Sequence, residues 1–372
     1  MSPSLRFPEF TGEWERCKLG TLATKVGSGS TPKGGDAVYT SIGHYFVRSQ
    51  NVGMGFLMLD NIAHINDDIH QKHKATEIYE NDVLLNITGA SIGRTAVATK
   101  ELEGGNVNQH VCIIRTNSKV NPKFLCDYIQ TQRIQNHIKS LQTGGSREGL
   151  NFEQIRSFPI SLPSINEQNK LTCLLDKINE RIATQVRLID RLQSLMIGIA
   201  QKIAHSNKPN VRISDCLECS SSALQESEVN KTGKYPVYGA NGIVGYIDKY
   251  HTQNEAIYII KDGSGVGGVS YVTGKCSSTG TLNILQAKNG HSLKYLYYLL
   301  KVFNFVPYKT GMAIPHIYFK DYGKAKIFCP AYPEQLEYAK LLSSIDGNLR
   351  IALDSLKNFN LQKQYLLRHM LI

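Results

Sequence analysis

Pro163-Ser-Ile-Asn-Glu-Gln168 and Pro330-Ala-Tyr-Pro-Glu-Gln335 lie 167 residues apart and are two versions of one motif. Just upstream, Gly144-Gly-Ser-Arg-Glu-Gly-Leu-Asn-Phe152 and Gly311-Met-Ala-Ile-Pro-His-Ile-Tyr-Phe319 match at the same offset without a gap. A match that keeps one register over such a length indicates an internal repeat.

The repeat continues towards the N-terminus, but with gaps. Lys123-Phe-Leu125 resembles Lys294-Tyr-Leu296 at an offset of 171, and Lys18-Leu-Gly20 resembles Arg212-Ile-Ser214 at an offset of 194. The second copy is therefore shorter, and the copies agree best at their ends.

A glycine-rich stretch in the second copy fits the dinucleotide-binding pattern G-x-G-x-x-G at Gly263–Gly268. The matching stretch of the first copy, Asn86–Arg94, keeps only Gly-x-x-x-Gly. A dinucleotide site needs a helix after the last glycine, whereas Val269-Ser-Tyr-Val272 predicts a strand. We therefore expect a glycine-containing hairpin in each copy and no nucleotide site.

Composition bounds the class of protein. The chain has 372 residues, 41% hydrophobic and 20% charged, which is typical of a globular protein with two or three domains. Its net charge of +11 favours a long acidic partner, first of all nucleic acid. We find no run of eighteen apolar residues and no signal-peptide core, so we expect a cytoplasmic protein that does not enter a membrane.

The eight cysteines are scattered, which is typical of reduced, mostly buried thiols. Cys216-Leu-Glu-Cys219 is the single C-x-x-C, and no second pair or His-x-x-x-His follows it. Because a structural zinc site uses four ligands, the sequence predicts no metal site.

Each copy begins with a globular part. Short strand patterns such as Gln109-His-Val-Cys-Ile-Ile114 and Ala256-Ile-Tyr-Ile-Ile260 alternate with Gly- and Asn-rich turns. A helix is predicted after each set, around Pro122–Ser140 and Ser292–Phe303. The pattern indicates an α/β or α+β domain in each copy.

Each copy ends in a long amphipathic helix that starts just after its proline. The first apolar stripe leaves one heptad slot to Gln185, with Val186 beside it. The stripe in the first helix consists of Leu171, Leu175, Ile178, Ile182, Ile189, Leu192 and Met196, and that in the second of Leu342, Ile345, Leu349, Leu353, Leu356 and Phe359. Such narrow stripes are typical of a coiled-coil seam.

About forty residues make a helix roughly 60 Å long, which is more than a globular domain of this size can cover. We expect the two long helices, which are equivalent in the repeat, to pack on each other. The alternative is that each packs only on its own globular domain, and the spacing does not decide between parallel and antiparallel.

The chain resembles the specificity subunits of type I restriction–modification systems. The resemblance rests on Arg6–Gly20, on Asp82–Gly89 with Gly93, on Pro-x-x-x-Glu-Gln at each helix start, and on the helix ends Leu195–Ile203 and Leu361–Met370. It covers nearly the whole chain. The second domain departs from the pattern, because Val211-Arg-Ile-Ser lacks the tryptophan of the first.

The resemblance implies two target-recognition domains, at 1–162 and 206–329, each reading one half of a split double-stranded DNA site. It implies two antiparallel spacer helices, at 163–205 and 330–372, and therefore a pseudo-twofold internal repeat. The helices would dock two methyltransferase subunits, and restriction–translocase subunits would join them. The residues assigned to these docking helices are Glu167, Gln168, Leu171, Leu175, Ile178, Ile182, Glu334, Gln335, Leu342, Ile345, Leu349 and Leu356.

The same resemblance implies a subunit without catalytic residues, cofactor or metal of its own. S-adenosylmethionine, ATP and Mg²⁺ would belong to the partner subunits. The residues agree: the chain has no Asn/Asp-Pro-Pro-Tyr/Phe loop for a flipped base and no P-loop. Unlike copies on a rigid spacer predict an asymmetric site, with half-sites about 34–36 Å apart. The alternative is a basic coiled-coil scaffold that bridges DNA or proteins outside restriction.

Arg and Lys contact phosphates, and Arg, Asn, Gln, Ser and Thr read base edges. On that basis we assign DNA contacts in the first domain to Arg48, Ser49, Gln50, Asn51, Arg94, Asn108, Gln109, His110 and Arg147. In the second domain we assign them to Tyr238, Asn241, Lys261, Ser264, Lys309 and His316. We expect Arg48 to read a base and Lys261 or Lys309 to bind a phosphate. For each of them the alternative is an exposed or turn-forming residue, and Asn241-Gly242 is also a typical hairpin turn.

Overall fold

The structure is a computed structural model that describes residues 3–142, 149–205, 208–312 and 314–371. The chain divides into two compact units. The first comprises Met1–Thr184 with Leu356–Ile372, and the second Gln185–Ser355. In the described residues, no helix is both long and apolar enough to cross a membrane.

The first repeat contains nine strands in three sheets. They are β1 (Glu15–Lys18), β2 (Ala23–Ser28), β3 (His44–Val47), β4 (Ala63–Ile65), β5 (Val83–Asn86), β6 (Thr95–Val97), β7 (Asn106–Val107), β8 (Val111–Thr116) and β9 (Pro159–Leu162). The sheet orders are β1-β9, β2-β8-β5-β6 and β4-β3-β7. Only the β3–β7 pair is parallel among these described strands.

The four-stranded sheet is covered on both faces, which explains the continuous apolar run of β5. Val83 and Leu85 face a core that the helices complete, whereas Leu84 faces a second core beside the three-stranded sheet. A strand buried on both sides has no polar alternation. The helices of this repeat are α1 (Asp67–Lys72), α2 (Pro122–Gln130), α3 (Gln132–Gln142) and α4 (Phe152–Arg156).

A helix of 41 residues, α5 (Ile165–His205), follows the first repeat. The second repeat then has nine strands: β10 (Val211–Arg212), β11 (Leu217–Ser221), β12 (Tyr235–Gly239), β13 (Gly242–Ile247), β14 (Glu255–Ile260), β15 (Val269–Thr273), β16 (Ser277–Ser278), β17 (Leu282–Ala287) and β18 (Lys326–Ile327). Its helices are α6 (Ile213–Cys216), α7 (Leu293–Val302), α8 (Phe319–Tyr322) and the 39-residue α9 (Tyr332–Met370).

The second repeat has the topology of the first. Its sheets have the orders β10-β18, β11-β17-β14-β15 and β13-β12-β16, again with one parallel pair, β12–β16, among the described strands. Single hydrogen bonds agree as well. Asn117 N donates to Leu22 O at 2.8 Å, and at the matching place Lys288 N donates to Cys216 O at 2.9 Å. The internal repeat predicted from the sequence is thus a repeat of structure.

The glutamine of each Pro-x-x-x-Glu-Gln motif fixes the start of its long helix. Gln168 Oε1 accepts from Asn121 N at 2.8 Å, and its Nε2 donates to Pro163 O at 2.9 Å. Gln335 Oε1 accepts from Ser292 N, and its Nε2 donates to Pro330 O, both at 2.8 Å. Both glutamines are buried. Each motif therefore ties the start of a long helix to the residue that caps a short helix of the same repeat, α2 in the first and α7 in the second.

The heptad stripe of α5 is confirmed. Leu171, Leu175, Ile178, Ile189 and Met196 are buried, and the polar slot at Gln185 is half-buried. In α9 the predicted stripe is wrong at one position. Leu353 is 46% exposed, whereas the neighbouring Ala352 is buried. Ala352 keeps the alternating spacing of three and four residues that a coiled-coil seam requires.

The two long helices run antiparallel where they meet. In the first unit, Arg6 binds Glu167 while Leu5 N donates to His369 O at 2.9 Å, so the start of α5 lies near the end of α9. In the second unit, Gln185 Nε2 donates to Ala352 O at 3.0 Å. The two long helices therefore pack on each other, as predicted. Their direction, which the spacing left open, is antiparallel.

Candidate functional site

The glycine stretch of the first repeat is a tight connection between the antiparallel strands β5 and β6. Gly89 and Gly93 have φ values of 69° and 84°, a region that favours glycine. Gly93 N and Arg94 O bond back to Asn86, at 2.9 and 2.8 Å. The connection carries Arg94, which is exposed.

The second repeat builds the same connection between β14 and β15. Gly263 and Gly267 have φ values of 97° and 90°, and Gly267 N and Gly268 O both bond to Ile260 at 2.9 Å. The residues that follow form β15 rather than a helix. The predicted glycine hairpin is confirmed, and a dinucleotide site is not formed here because a strand, not a helix, follows the last glycine.

A loop from the C-terminal part of each repeat closes on the hairpin. In the second repeat Ile317 N donates to Lys261 O at 2.9 Å, and in the first Leu150 N donates to Ile87 O at 2.9 Å. The two donors, Leu150 and Ile317, are 167 residues apart, and the two acceptors, Ile87 and Lys261, are 174 apart. These are the offsets found in the sequence. Arg147 lies outside the described residues.

The structure gathers most of the first-domain candidates around this hairpin. His110 Nδ1 lies 2.5 Å from Thr88 Oγ1, and Gln109 accepts a hydrogen bond from Thr31. On the other side, Asn86 Nδ2 donates to Ser49 O at 2.8 Å. Arg94, Gln109 and Gln50 are exposed, whereas Ser49 and His110 are partly exposed.

Arg48 is held beside the same hairpin. Its guanidinium carbon lies 5.4 Å from the centre of the Tyr39 ring. Its Nε is buried and, among the described residues, has no hydrogen-bond partner. A buried donor without an acceptor is rare, and the contact of Arg48 with a base stays a prediction.

One of the predicted contacts is corrected by burial. Asn51 Oδ1 accepts from Arg48 N at 3.0 Å, and its Nδ2 donates to Met58 O at 2.9 Å. The Asn51 side chain is buried and bonded at both ends, so it shapes the surface and does not present its amide to a ligand. Asn108 is also buried, and its Oδ1 accepts from His110 N at 3.0 Å, whereas a DNA contact through its Nδ2 stays a prediction.

The second-domain candidates also converge. Thr310 and Asp262 both form isolated bridges with His316, which brings the loop of Lys309 against the hairpin of Lys261 and Ser264. Thr279 N donates to Tyr238 O at 2.9 Å. Thr279 lies just before β17, which pairs with the hairpin strand β14, so Tyr238 lies near the hairpin. Burial raises the pKa of Tyr238, so its hydroxyl stays protonated at neutral pH. Asn241 lies exposed in the β12–β13 hairpin, as the alternative reading had it.

Equivalent positions in the two repeats carry unlike side chains on like backbones. The strand registers pair Val47 with Val107 and Tyr238 with Ser278, so Val47 corresponds to Tyr238. At the hairpin, Arg94 of the first repeat corresponds to Gly268 of the second.

Most helix residues assigned to docking have internal partners. Glu167 is buried and binds Arg6 Nε and Nη2 at 2.7 Å each, and Trp14 Nε1 at 3.3 Å. Gln168 and Gln335 fix the helix starts, and the apolar residues of the stripes face the seam and the cores. Glu334, in contrast, is exposed. Nothing in the sequence pattern indicates Arg6 as the partner of Glu167, because the two residues are far apart in the chain. Docking by the helices remains a prediction, and other exposed side chains would carry it.

These features define a class: a duplicated mixed α/β protein with a matching loop surface on each repeat and one long helix after each repeat in sequence. A family model, the type I restriction modification DNA specificity domain, matches residues 11–194 and 206–358. The chain belongs to this family of specificity subunits, which confirms the resemblance found in the sequence.

Characterised relatives are similar over limited segments. A putative type I restriction enzyme specificity subunit of Haemophilus influenzae is 25% identical over 123 residues, 32% of each chain. The EcoBI specificity subunit of Escherichia coli is 24% identical over 135 residues, 36% of this chain and 28% of that one. The chain thus spans about a third of the length of the curated relatives it matches.

Solved structures share the fold over the whole chain. The S subunit of a type I restriction–modification system from M. genitalium superposes with a TM-score of 0.69 at 16% identity, covering 100% of this chain and 99% of that one. A structure described under complex assembly and conformational transition of the type I R-M system gives a TM-score of 0.56 at 16% identity, covering 96% and 97%.

Proposed function

We propose that each repeat reads one half of an asymmetric, bipartite DNA site and that the long helices dock two methyltransferase subunits. The observation that carries the proposal is the pair of matching hairpin surfaces with unlike side chains. Like backbones place the contacts in the same way, whereas unlike side chains select different base pairs. The net charge of +11 supports a polyanionic partner.

The exposed apolar side chains of the long helices support docking of protein partners. Val186 and Leu188 of α5 are 40% and 44% exposed, and Ile351 and Leu353 of α9 are 65% and 46% exposed. Val186 follows Gln185 in sequence, and Ile351 and Leu353 flank Ala352. Apolar groups of this size in contact with water favour a protein interface.

In this proposal the chain performs no chemistry itself. S-adenosylmethionine, ATP and Mg²⁺ would act in the methyltransferase and restriction–translocase subunits, and the complex would work on DNA in the cytoplasm. The sequence supports this division, because it lacks both the adenine-binding Pro-Pro loop and a P-loop.

The test is to map methyladenine in the DNA of a host that carries this chain with its methyltransferase subunit. We expect one gapped motif with unlike halves. Arg94→Ala should relax a position in one half only, whereas Lys100→Ala should leave the motif unchanged, since Lys100 pairs with Glu103 away from the hairpin. A palindromic motif, or relaxation of both halves by Arg94→Ala, would contradict the proposal.

A further inference from the structure

A group of three side chains in the second repeat has no role in DNA recognition. Among the residues that the structure describes, Cys216, His291 and Cys329 bring two thiols and an imidazole together, with the three potential ligand atoms within 4.8 Å of one another. Both cysteines are buried, and His291 is partly exposed. Cys219, the other half of the C-x-x-C, is not part of the group; it lies at a separate cavity with Lys261 and Tyr318.

Backbone contacts hold the three residues in place. Cys216 ends α6, and its carbonyl accepts from Lys288 N at 2.9 Å. His291 N donates to Lys288 O at 3.2 Å, just before α7. Asn210 binds the backbone of Cys329 twice, at 2.8 and 2.7 Å. The group therefore joins the beginning, the middle and the end of the second globular domain.

The first repeat shows what this place holds otherwise. At the offsets of 194, 171 and 167, the corresponding residues are Leu22, Val120 and Leu162, which all lie in the hydrophobic core. The backbone agrees, because Asn117 N donates to Leu22 O at 2.8 Å as Lys288 N does to Cys216 O. At the positions of three apolar core residues in the first repeat, the second repeat thus has three residues of types that bind zinc.

The chemistry of the group is poised for a cation. His291 Nδ1 is buried and has no hydrogen-bond partner among the described residues. Two sulfurs within 4.8 Å of each other and of an imidazole nitrogen form a donor set that a divalent metal can bind.

We propose that Cys216, His291 and Cys329 bind one zinc ion, with a non-protein ligand such as water in the fourth position. Zinc prefers thiolate and imidazole in tetrahedral geometry, with bonds of about 2.3 and 2.0–2.1 Å, so its ligand atoms lie roughly 3.5–3.8 Å apart. From the observed separation of up to 4.8 Å, the three ligand atoms would have to move only about 1 Å closer together. Since Cys329 stands three residues before α9, the ion would tie the core of the second domain to the start of that helix.

The experiment is a Co²⁺ titration of the full-length, reduced chain after chelator treatment, followed by displacement with Zn²⁺. We expect one equivalent of tetrahedral Co²⁺ with a thiolate charge-transfer band, and one equivalent of zinc in the protein as purified. Cys216→Ser and Cys329→Ser should each abolish stoichiometric binding. The matched control Cys219→Ser should keep it.

A triple variant that restores the residues of the first repeat, Cys216→Leu, His291→Val and Cys329→Leu, separates metal binding from folding. It should fold, bind no cobalt, and have a Tm that a chelator does not change, whereas chelator should lower the Tm of the natural chain. The proposal is overturned if the natural chain shows no thiolate band, if Cys219→Ser loses the metal, if the triple variant binds like the natural chain, or if Cys216 and Cys329 form a disulfide in freshly purified protein. None of these readouts depends on DNA.

Discussion

Gln185 Nε2 donates a hydrogen bond to the carbonyl oxygen of Ala352 at 3.0 Å, and both residues occupy heptad positions of the helix seam. The apolar stripe of α5 is interrupted by a polar group only at this slot. A single polar residue in such a seam fixes the register of the helices and lowers their stability. The small side chain of Ala352 leaves its carbonyl oxygen accessible to the amide.

Gln185→Leu should raise the stability of the helix pair, by up to about 1 kcal/mol, because an apolar side chain then fills a half-buried slot. Thermal unfolding followed by circular dichroism measures this. Gln201→Leu, on an exposed position of the same helix, is the control and should not raise the Tm. A clear drop in Tm for Gln185→Leu would show that the hydrogen bond outweighs apolar burial.

The buried glutamines at the helix starts should be far more sensitive. Gln168→Ala removes the acceptor of Asn121 N and leaves buried backbone groups unpaired, which costs roughly 2–4 kcal/mol. Gln335→Ala should cost a similar amount, since Gln335 makes equivalent bonds to Ser292 and Pro330. Gln132→Ala, on an exposed face of α3, should change stability by less than about 0.5 kcal/mol. Urea unfolding compares the three variants, and equal losses in all three would refute the assignment.

The glutamates beside these glutamines should differ, although the sequence motif treats them alike. Glu167→Gln weakens a buried, bidentate ion pair with Arg6 and should cost about 3 kcal/mol. Glu334→Gln is the matched control, because Glu334 is exposed and should contribute little. If both variants lose the same stability in urea, the N-terminal segment does not hold α5 as described.

Stability should also depend on pH through Asp127. Burial raises the pKa of this carboxyl group to about 7, from an ordinary value of 3.8. Between these values the folded chain keeps the proton and the unfolded chain has lost it. The free energy of unfolding should therefore fall as pH rises from about 4 to about 7 and then stay level with respect to this group. Asp127→Asn should flatten that slope in urea titrations at several pH values, and an unchanged slope would place the titration on another group.

Much of the fold follows from the sequence because the repeat states each element twice. Offsets of 167, 171, 174 and 194 residues recover backbone hydrogen bonds that match between the copies, and the Gly-x-x-x-Gly stretches are the hairpins they were predicted to be. The choice between Leu353 and Ala352 was decidable in principle, since only Ala352 keeps the strict alternation of three and four residues. The prediction of Leu353 in the stripe is wrong, because Leu353 is exposed and Ala352 is buried.

Other features could not be read from the chain. The pairing of Arg6 with Glu167 and the meeting of Cys216 with His291 and Cys329 join residues that are far apart in sequence and have no periodic signal. The burial of Asn51 and Asn108 also depends on tertiary packing, because a polar side chain in a turn looks the same whether it bonds its own backbone or faces solvent.

Two basic residues should separate base reading from phosphate binding. Arg94 is exposed on the first hairpin, and Arg94→Ala should cost about 1–3 kcal/mol on the cognate site and relax one base position. Lys309 is exposed on the loop that closes on the second hairpin, and Lys309→Ala should weaken binding on every sequence alike. Loss of one phosphate contact should also lower the slope of log K against log salt by about 0.9. Both variants are measured as the complex with the methyltransferase subunit, on cognate and randomised duplexes at several salt concentrations. If Arg94→Ala weakens all duplexes equally, its guanidinium binds the backbone. If Lys309→Ala leaves the salt slope unchanged, the second hairpin surface does not face a phosphate at that residue.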